Sequence, residues 1–220
     1  MENKKEAIVV GATGLIGNSI LEQLLENPNY GKVTAIVRKK QLRQHPKLKQ
    51  LVVNFDMLDS YADQIKGDVV FCALGTTKSK TPDQSQYRKI DYQYPLDVAR
   101  IAFQNGATQY HLVSAMGANP NSGIFYSKLK GEVEQDLKKI PYNSIHIYRP
   151  SLLDGERKEK RAAESIMNSI MQVINPILIG PLRKYRSIKT ERVASAMIKQ
   201  SLKPEAGIHT YPSDKIQQLG

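Results

Sequence analysis

The sequence predicts an α/β fold: a doubly wound parallel sheet over residues 1–150, with a small lid over residues 151–220 packed on it as part of one structural domain. Three observations carry this expectation. Short, β-branched, almost continuously apolar runs alternate with stretches of helical period, the pattern of buried parallel strands and their crossover helices. The first run leads straight into a loop of regularly spaced glycines. After Pro150 the alternation stops.

Taken in order, strands are expected at 7–10, 33–37, 51–55, 69–73, 110–113 and 144–148, each bounded by Gly, Asn, Asp or Pro. Helices are expected at 15–27, 84–104 and 126–139, with a shorter one near 59–66. Pro95 falls inside the 84–104 pattern and predicts a kink or a boundary there. Beyond the core, residues 154–161 are densely charged, and Ile166, Ile170 and Ile174 mark one stripe of an amphipathic helix. A last helix is expected over 191–201 with Thr190 as its N-cap.

Composition narrows the class. The 220 residues are 40% hydrophobic and 24% charged, enough to bury a core without cross-links. The one cysteine, Cys72, lies in an apolar run and reads as a small core side chain. Lys4 and Lys5 precede an uncharged stretch over 7–17, but three glycines interrupt it and no small-residue cleavage site follows, so a signal peptide is rejected. The most apolar later segment, 170–182, is broken by Gln172, Asn175, Pro176 and Gly180 and does not reach the roughly 18 residues of a membrane span. The expected location is the cytoplasm. A net charge of +11 (32 basic against 21 acidic residues), with seven basic side chains and no acid over 32–49, suits an anionic ligand. Nucleic acid is the least favoured of these, because the chain has neither an aromatic stacking platform nor a helix-turn-helix pattern.

The strand over 7–10 runs into Gly11-Ala12-Thr13-Gly14-Leu15-Ile16-Gly17 and then a helix. Gly11 permits a tight turn, Gly14 lets backbone approach a pyrophosphate, and Gly17 allows helix to pack closely on strand. The helix start offers free N–H groups and the positive end of its dipole. This is a Rossmann-type dinucleotide loop. Thr13, Leu15 and Ile16 are counted with the glycines as cofactor contacts. The second strand ends in Val37-Arg38-Lys39, without the acid that would hold a ribose 2′-hydroxyl. Arg38 instead presents a planar fork suited to a 2′-phosphate, which favours NADP(H) over NAD(H). Asp56, after the third strand, is a candidate for the adenine amino group, and the backbone at Gly75, after the fourth, for the adenosine ribose.

The GxxGxxG spacing, together with Ser114, Tyr126 and Lys130, resembles the extended and atypical short-chain dehydrogenases/reductases. More narrowly, Ala73-Leu74-Gly75-Thr76-Thr77, the stretch from Tyr126 to Glu134, Arg149-Pro150 and the terminal Lys215-Ile-Gln-Gln-Leu-Gly220 are similar to the Tat-interacting-protein-like branch. Tyr-x-x-x-Lys occurs three times, at 126/130, 185/189 and 211/215, but only the first opens a helix after the fifth strand, where open α/β sheets bind ligands. The resemblance implies a Tyr126 phenol as general acid or base, with Lys130 one turn away lowering its pKa and holding the nicotinamide ribose. It implies Ser114 as a hydrogen-bond donor to the substrate oxygen, Leu74, Gly75 and Thr76 along the cofactor, and Pro150 beside the nicotinamide amide. Asp91 is the nearest candidate for the asparagine that some members carry on the preceding helix.

The histidines are scattered in sequence, and no metal-ligand spacing appears. The expectation is therefore an NADP(H)-dependent oxidoreductase acting on a small carbonyl or alcohol, with no metal. The alternative is an NADP(H)-binding regulator with little turnover, since the resemblance also implies protein partners. The short lid argues against a sugar-nucleotide epimerase. The substrate-shaping residues, roughly 115–124 and 152–186, match no recognition pattern.

Overall fold

The computed structural model describes residues 4–154 and 185–220. Seven parallel strands form its sheet: β1 (Lys5–Val10), β2 (Tyr30–Val37), β3 (Leu48–Val52), β4 (Val69–Cys72), β5 (Gln109–Val113), β6 (Ser144–Arg149) and β9 (Gly207–Pro212), in the order β3-β2-β1-β4-β5-β6-β9. A separate parallel pair is made by β7 (Leu153–Asp154) and β8 (Ile188–Lys189). The chain runs outward from β1 to β3, then returns to β4 on the other side of β1. The crevice outside the carboxyl ends of β1 and β4 is thus the switch point of the sheet.

Alternation along each strand sorts the core into two layers. Ala7, Val9, Ala35 and Phe71 face α1 (Leu15–Glu26), which contributes Ile20 and Leu24. On the opposite face Ile8, Val10, Val70 and Leu112 meet Val98 and Ala102 of α3 (Tyr94–Gln104) and Val133 and Leu137 of α4 (Phe125–Leu137). Both faces of the central strands are buried, which is why their sequence is apolar without a break.

The two edge strands obey a different rule. β3 begins at Leu48, earlier than the expected 51–55, and only Leu51 in it is buried, with Lys49 and Val52 exposed. Phe55 belongs instead to a 3₁₀ segment (Phe55–Gln64), started by Asn54, whose side chain accepts from the Asp56 N–H. β9 is a strand that the sequence reading did not anticipate. Tyr211, the first residue of the 211/215 pair, is buried in it, followed by α6 (Ser213–Leu219). Lys189 of the 185/189 pair lies in β8 rather than on a helix.

The expected 84–104 helix is three pieces: α2 (Gln84–Arg88), a π turn (Lys89–Gln93) and α3 with Pro95 in its first turn. Proline has no N–H to return to the carbonyl four residues back, and the widened turn absorbs that gap. It also turns Asp91 inward, where it is 1% exposed. Thr190 is the first residue of α5 (Thr190–Ser201) and not its cap, which is Lys189. The helix expected through Ile166, Ile170 and Ile174 lies outside the described residues.

His111, His146 and His209, scattered in sequence, are brought into register on β5, β6 and β9, with ring centroids 4.4 and 4.9 Å apart. Burial holds His111 well below its ordinary pKa and His146 down to about 4, so these two stack as neutral rings.

Candidate functional site

The glycine loop is shaped by contacts that only glycine permits at two places. Gly11 has φ +83°, and a Cβ there would lie 2.6 Å from the Ala73 carbonyl oxygen. At Gly17 a Cβ would sit 2.0 Å from the Gly11 oxygen, so the first turn of α1 rests directly on the loop. Replacing Gly17 by alanine must move backbone, and we expect a loss of about 3 kcal/mol together with dinucleotide binding. Chemical denaturation and cofactor titration of the variant check this; unchanged stability with retained binding would refute the packing account. Gly14 caps α1 with no side-chain hydrogen bond, and the first turn holds no acid. The N–H groups and the dipole there would meet an anion without competition from an internal acid or cap. That is the cradle a pyrophosphate requires.

Thr13, Gly14, Leu15 and Ile16 line a cleft of about 1410 Å³, while Gly11 and Gly17 support it from below. Its opposite wall comes from the ends of the next strands: Leu74, Gly75 and Thr76 after β4, Ser114 after β5, and Pro150 after β6. Tyr126 and Lys130 reach the same cleft from α4. The volume exceeds that typical of a single drug-sized ligand, as a dinucleotide plus substrate would need.

Lys130 is 5% exposed in its side chain and pairs with Asp91 Oδ1 at 2.8 Å. Asp91 Oδ2 accepts from the Thr76 N–H at 2.8 Å, tying the lysine's counter-ion to the cleft wall. Burial works to lower the Lys130 pKa, but Asp91 and then Tyr126 outweigh it, and the ammonium is held above its ordinary range. The Lys130 Nζ lies 6.0 Å from the Tyr126 ring centroid. Tyr126 is 40% exposed over the whole residue, yet burial of its ionisable end is the leading influence and pushes the phenol up. Lys130 opposes that shift and Asp91 reinforces it. The expected lowering by Lys130 is therefore present but overcome: the arrangement keeps Tyr126 protonated.

Ser114 is occupied. Its hydroxyl donates to Glu134 Oε1 at 2.5 Å, and Glu134 in turn receives Arg149 Nε at 2.9 Å and Arg149 Nη2 at 2.5 Å. Glu134 is 2% exposed. Tyr126, Lys130 and Glu134 follow one another at four-residue spacing on α4, so one helix face carries all three. The sequence reading missed Glu134 because it is one of several acids between 132 and 136.

Arg38 and Asp56 lie elsewhere. Arg38 is exposed just past β2, and Asp56, also exposed, holds Lys89 Nζ at 2.8 Å and the Tyr94 hydroxyl at 2.9 Å. Neither lines the cleft; among the described residues its wall there comes from Gln41, Leu42, Arg43 and Gln50.

Comparisons with known proteins bear on the family and the fold. The NAD(P)H-binding family model matches residues 11–170. Protein HTATIP2 of Rattus norvegicus is 34% identical over 74% of this chain and 69% of its own length. Protein fmp52, mitochondrial, of Aspergillus fumigatus is 30% identical over 96% of this chain and 93% of its own. The expected cytoplasmic location is corrected by these and similar relatives, since the fmp52 proteins of several fungi are named as mitochondrial. Among the described residues no helix is long and apolar enough to cross a membrane. In fold, the Bordetella bronchiseptica enzyme WbmH in complex with NAD+ superposes with a TM-score of 0.73 at 16% identity, covering 98% of this chain and 79% of that one. A UDP-N-acetylglucosamine 4-epimerase from Methanobrevibacter ruminantium gives 0.69 at 15%, covering 96% and 77%. The chain belongs to the NAD(P)H-binding family.

Proposed function

We propose that the protein is an NADP(H)-dependent oxidoreductase that reduces a small carbonyl substrate, or oxidises the corresponding alcohol. The observation that carries this reading is the buried Asp91–Lys130 pair beneath Tyr126 in a cleft floored by the glycine loop. A pure nucleotide sensor has no need of a buried lysine held charged beside a protonated phenol. The glycine loop and the open start of α1 would hold the pyrophosphate, Lys130 the nicotinamide ribose, and Pro150 would border the carboxamide. The end of β2 carries Arg38 and no acid to hold a ribose 2′-hydroxyl, which favours NADP(H) over NAD(H) although Arg38 itself does not line the cleft. The cofactor supplies or accepts hydride when bound. Tyr126, kept protonated by burial and by Asp91, donates its hydroxyl proton to the carbonyl oxygen in reduction, and Lys130 steadies the phenolate that results.

A second reading, an NADP(H)-binding regulator, is favoured by one observation: the Ser114 proton is already given to Glu134 and is not free for a substrate.

Titration with NADPH and NADH followed by a carbonyl panel separates these readings. Tight NADPH binding with NADPH oxidation, and a drop of about 10²- to 10⁴-fold in Tyr126→Phe at unchanged cofactor affinity, is the enzyme's signature. Binding without turnover by the parent protein on any carbonyl favours the regulator, and failure to bind either dinucleotide overturns both.

A further inference from the structure

Two hydroxyl-bearing side chains of the cleft, Tyr126 and Ser114, have opposite hydrogen-bonding roles. Burial keeps Tyr126 protonated, so its phenol donates. Ser114 has its proton committed elsewhere. Its hydroxyl donates to Glu134 Oε1 at 2.5 Å, while its backbone N–H is held by the Tyr148 carbonyl at 2.7 Å. Glu134 is 2% exposed and also takes Arg149 Nε at 2.9 Å and Arg149 Nη2 at 2.5 Å. Every one of these bonds brings a donor to it, the arrangement that suits an acceptor-only carboxylate. To donate into the cleft, Ser114 would have to exchange a buried carboxylate for a neutral carbonyl. Charge-assisted bonds are roughly twice as strong as neutral ones, so the exchange is unfavourable. What Ser114 Oγ has left for the cleft is its lone pairs.

We propose that Ser114 acts on the substrate as a hydrogen-bond acceptor, a role set by Glu134, and that the site therefore selects an α-hydroxy carbonyl compound. The proposal rests on the oxidoreductase reading above and names its substrate class. The carbonyl oxygen faces the Tyr126 hydroxyl, and the hydroxyl on the neighbouring carbon donates to Ser114. A plain ketone satisfies Tyr126 but brings no donor, and it leaves the oxygen of a serine only 4% exposed against apolar carbon. As the carbonyl carbon takes hydride, its oxygen takes the phenolic proton. A vicinal diol leaves, with the hydroxyl that Ser114 reads unchanged. Glu134 does not touch the substrate; it is a positioning residue that acts through Ser114.

The test reads kcat/KM for hydroxyacetone, butanone and methoxyacetone, with whichever dinucleotide the protein binds, in the parent, Ser114→Ala and Glu134→Gln. Thermal unfolding of each protein accompanies it. Hydroxyacetone and butanone are nearly equal in size, and methoxyacetone keeps the activating oxygen while removing the donor. The parent is expected to favour hydroxyacetone over both by about 10- to 100-fold. Ser114→Ala is expected to erase most of that preference by slowing hydroxyacetone, with butanone within about threefold. A serine that donates to the carbonyl oxygen instead would lose all three substrates alike, and that result overturns the proposal. In Glu134→Gln the amide oxygen stays with Arg149 and the amide N–H turns to Ser114, which frees the serine proton for the cleft. The preference is then expected to fall about tenfold, with butanone gaining. Equal losses on all three substrates in a folded Glu134→Gln overturn the role of Glu134. If that variant is unfolded, the parent and Ser114→Ala decide. A parent that reduces carbonyls without preferring hydroxyacetone overturns the substrate class alone. One that turns over no member of a wider carbonyl panel defeats the oxidoreductase reading and this proposal with it.

Discussion

Glu134→Ala is expected to destabilise the fold by about 3 kcal/mol, the low end for breaking a buried ion pair, because Arg149, whose side chain is 33% exposed, keeps partial access to water. Three elements meet at this carboxylate. It grows from α4, receives the hydroxyl that follows β5, and receives both nitrogens of an arginine at the end of β6. Alanine removes the acceptors and leaves the Ser114 hydroxyl and the guanidinium facing an apolar gap. For a chain of this size the loss corresponds to a fall of roughly 6–12 °C in melting temperature. Circular dichroism melts of Glu134→Ala, Arg149→Ala and the double variant give the coupling directly. Strictly additive effects, or a melting temperature unmoved in the first variant, would show that the pair does not join the strands to α4.

What could be read in advance follows from how each feature is buried. The central strands announce themselves because both faces are covered, so 7–10 and 69–73 have no polar interruption. β3 and β9 do not: on a sheet edge Lys49 and Ile208 face outward, and the apolar run that marks a buried strand never forms. The glycine loop was legible because its geometry excludes side chains at Gly11 and Gly17. Tyr126 and Lys130 were legible because a fixed spacing puts them on one helix face. Asp91 was visible only as a candidate, since a π turn has no sequence period and nothing in the chain declares that this acid turns inward. Arg43 was hidden by its own neighbourhood, one cation in a run of seven. The direction of the Tyr126 shift could not be read at all, because it depends on burial outweighing a neighbour whose charge Asp91 partly cancels.

Asp91→Asn is expected to be the most costly polar substitution in the molecule, and its cost is expected to depend on pH. Both partners are almost wholly buried, the lysine at 5% and the aspartate at 1% side-chain exposure, so water does not screen the loss. Asparagine leaves Lys130 as an uncompensated buried cation, which costs about 3–5 kcal/mol near neutral pH. In the parent, burial lowers the Lys130 pKa but Asp91 more than restores it, so the folded value lies above the ordinary one. A raised lysine contributes stability that is fully present below its unfolded pKa and is lost as pH rises through the folded one. In the variant, burial is no longer opposed by Asp91 and the folded value drops below the unfolded one. The sign then reverses: the variant gains stability as pH rises, because Lys130 can shed its proton instead of remaining charged in an apolar site. The gap between parent and variant should therefore be widest near pH 7 and narrow toward about pH 10, where an unperturbed lysine titrates. Urea denaturation of both proteins at pH 7 and at pH 9.5 reads this directly. A gap that stays constant with pH would mean that Asp91 supports the fold through its bond to the Thr76 N–H alone and is not the counter-ion of Lys130.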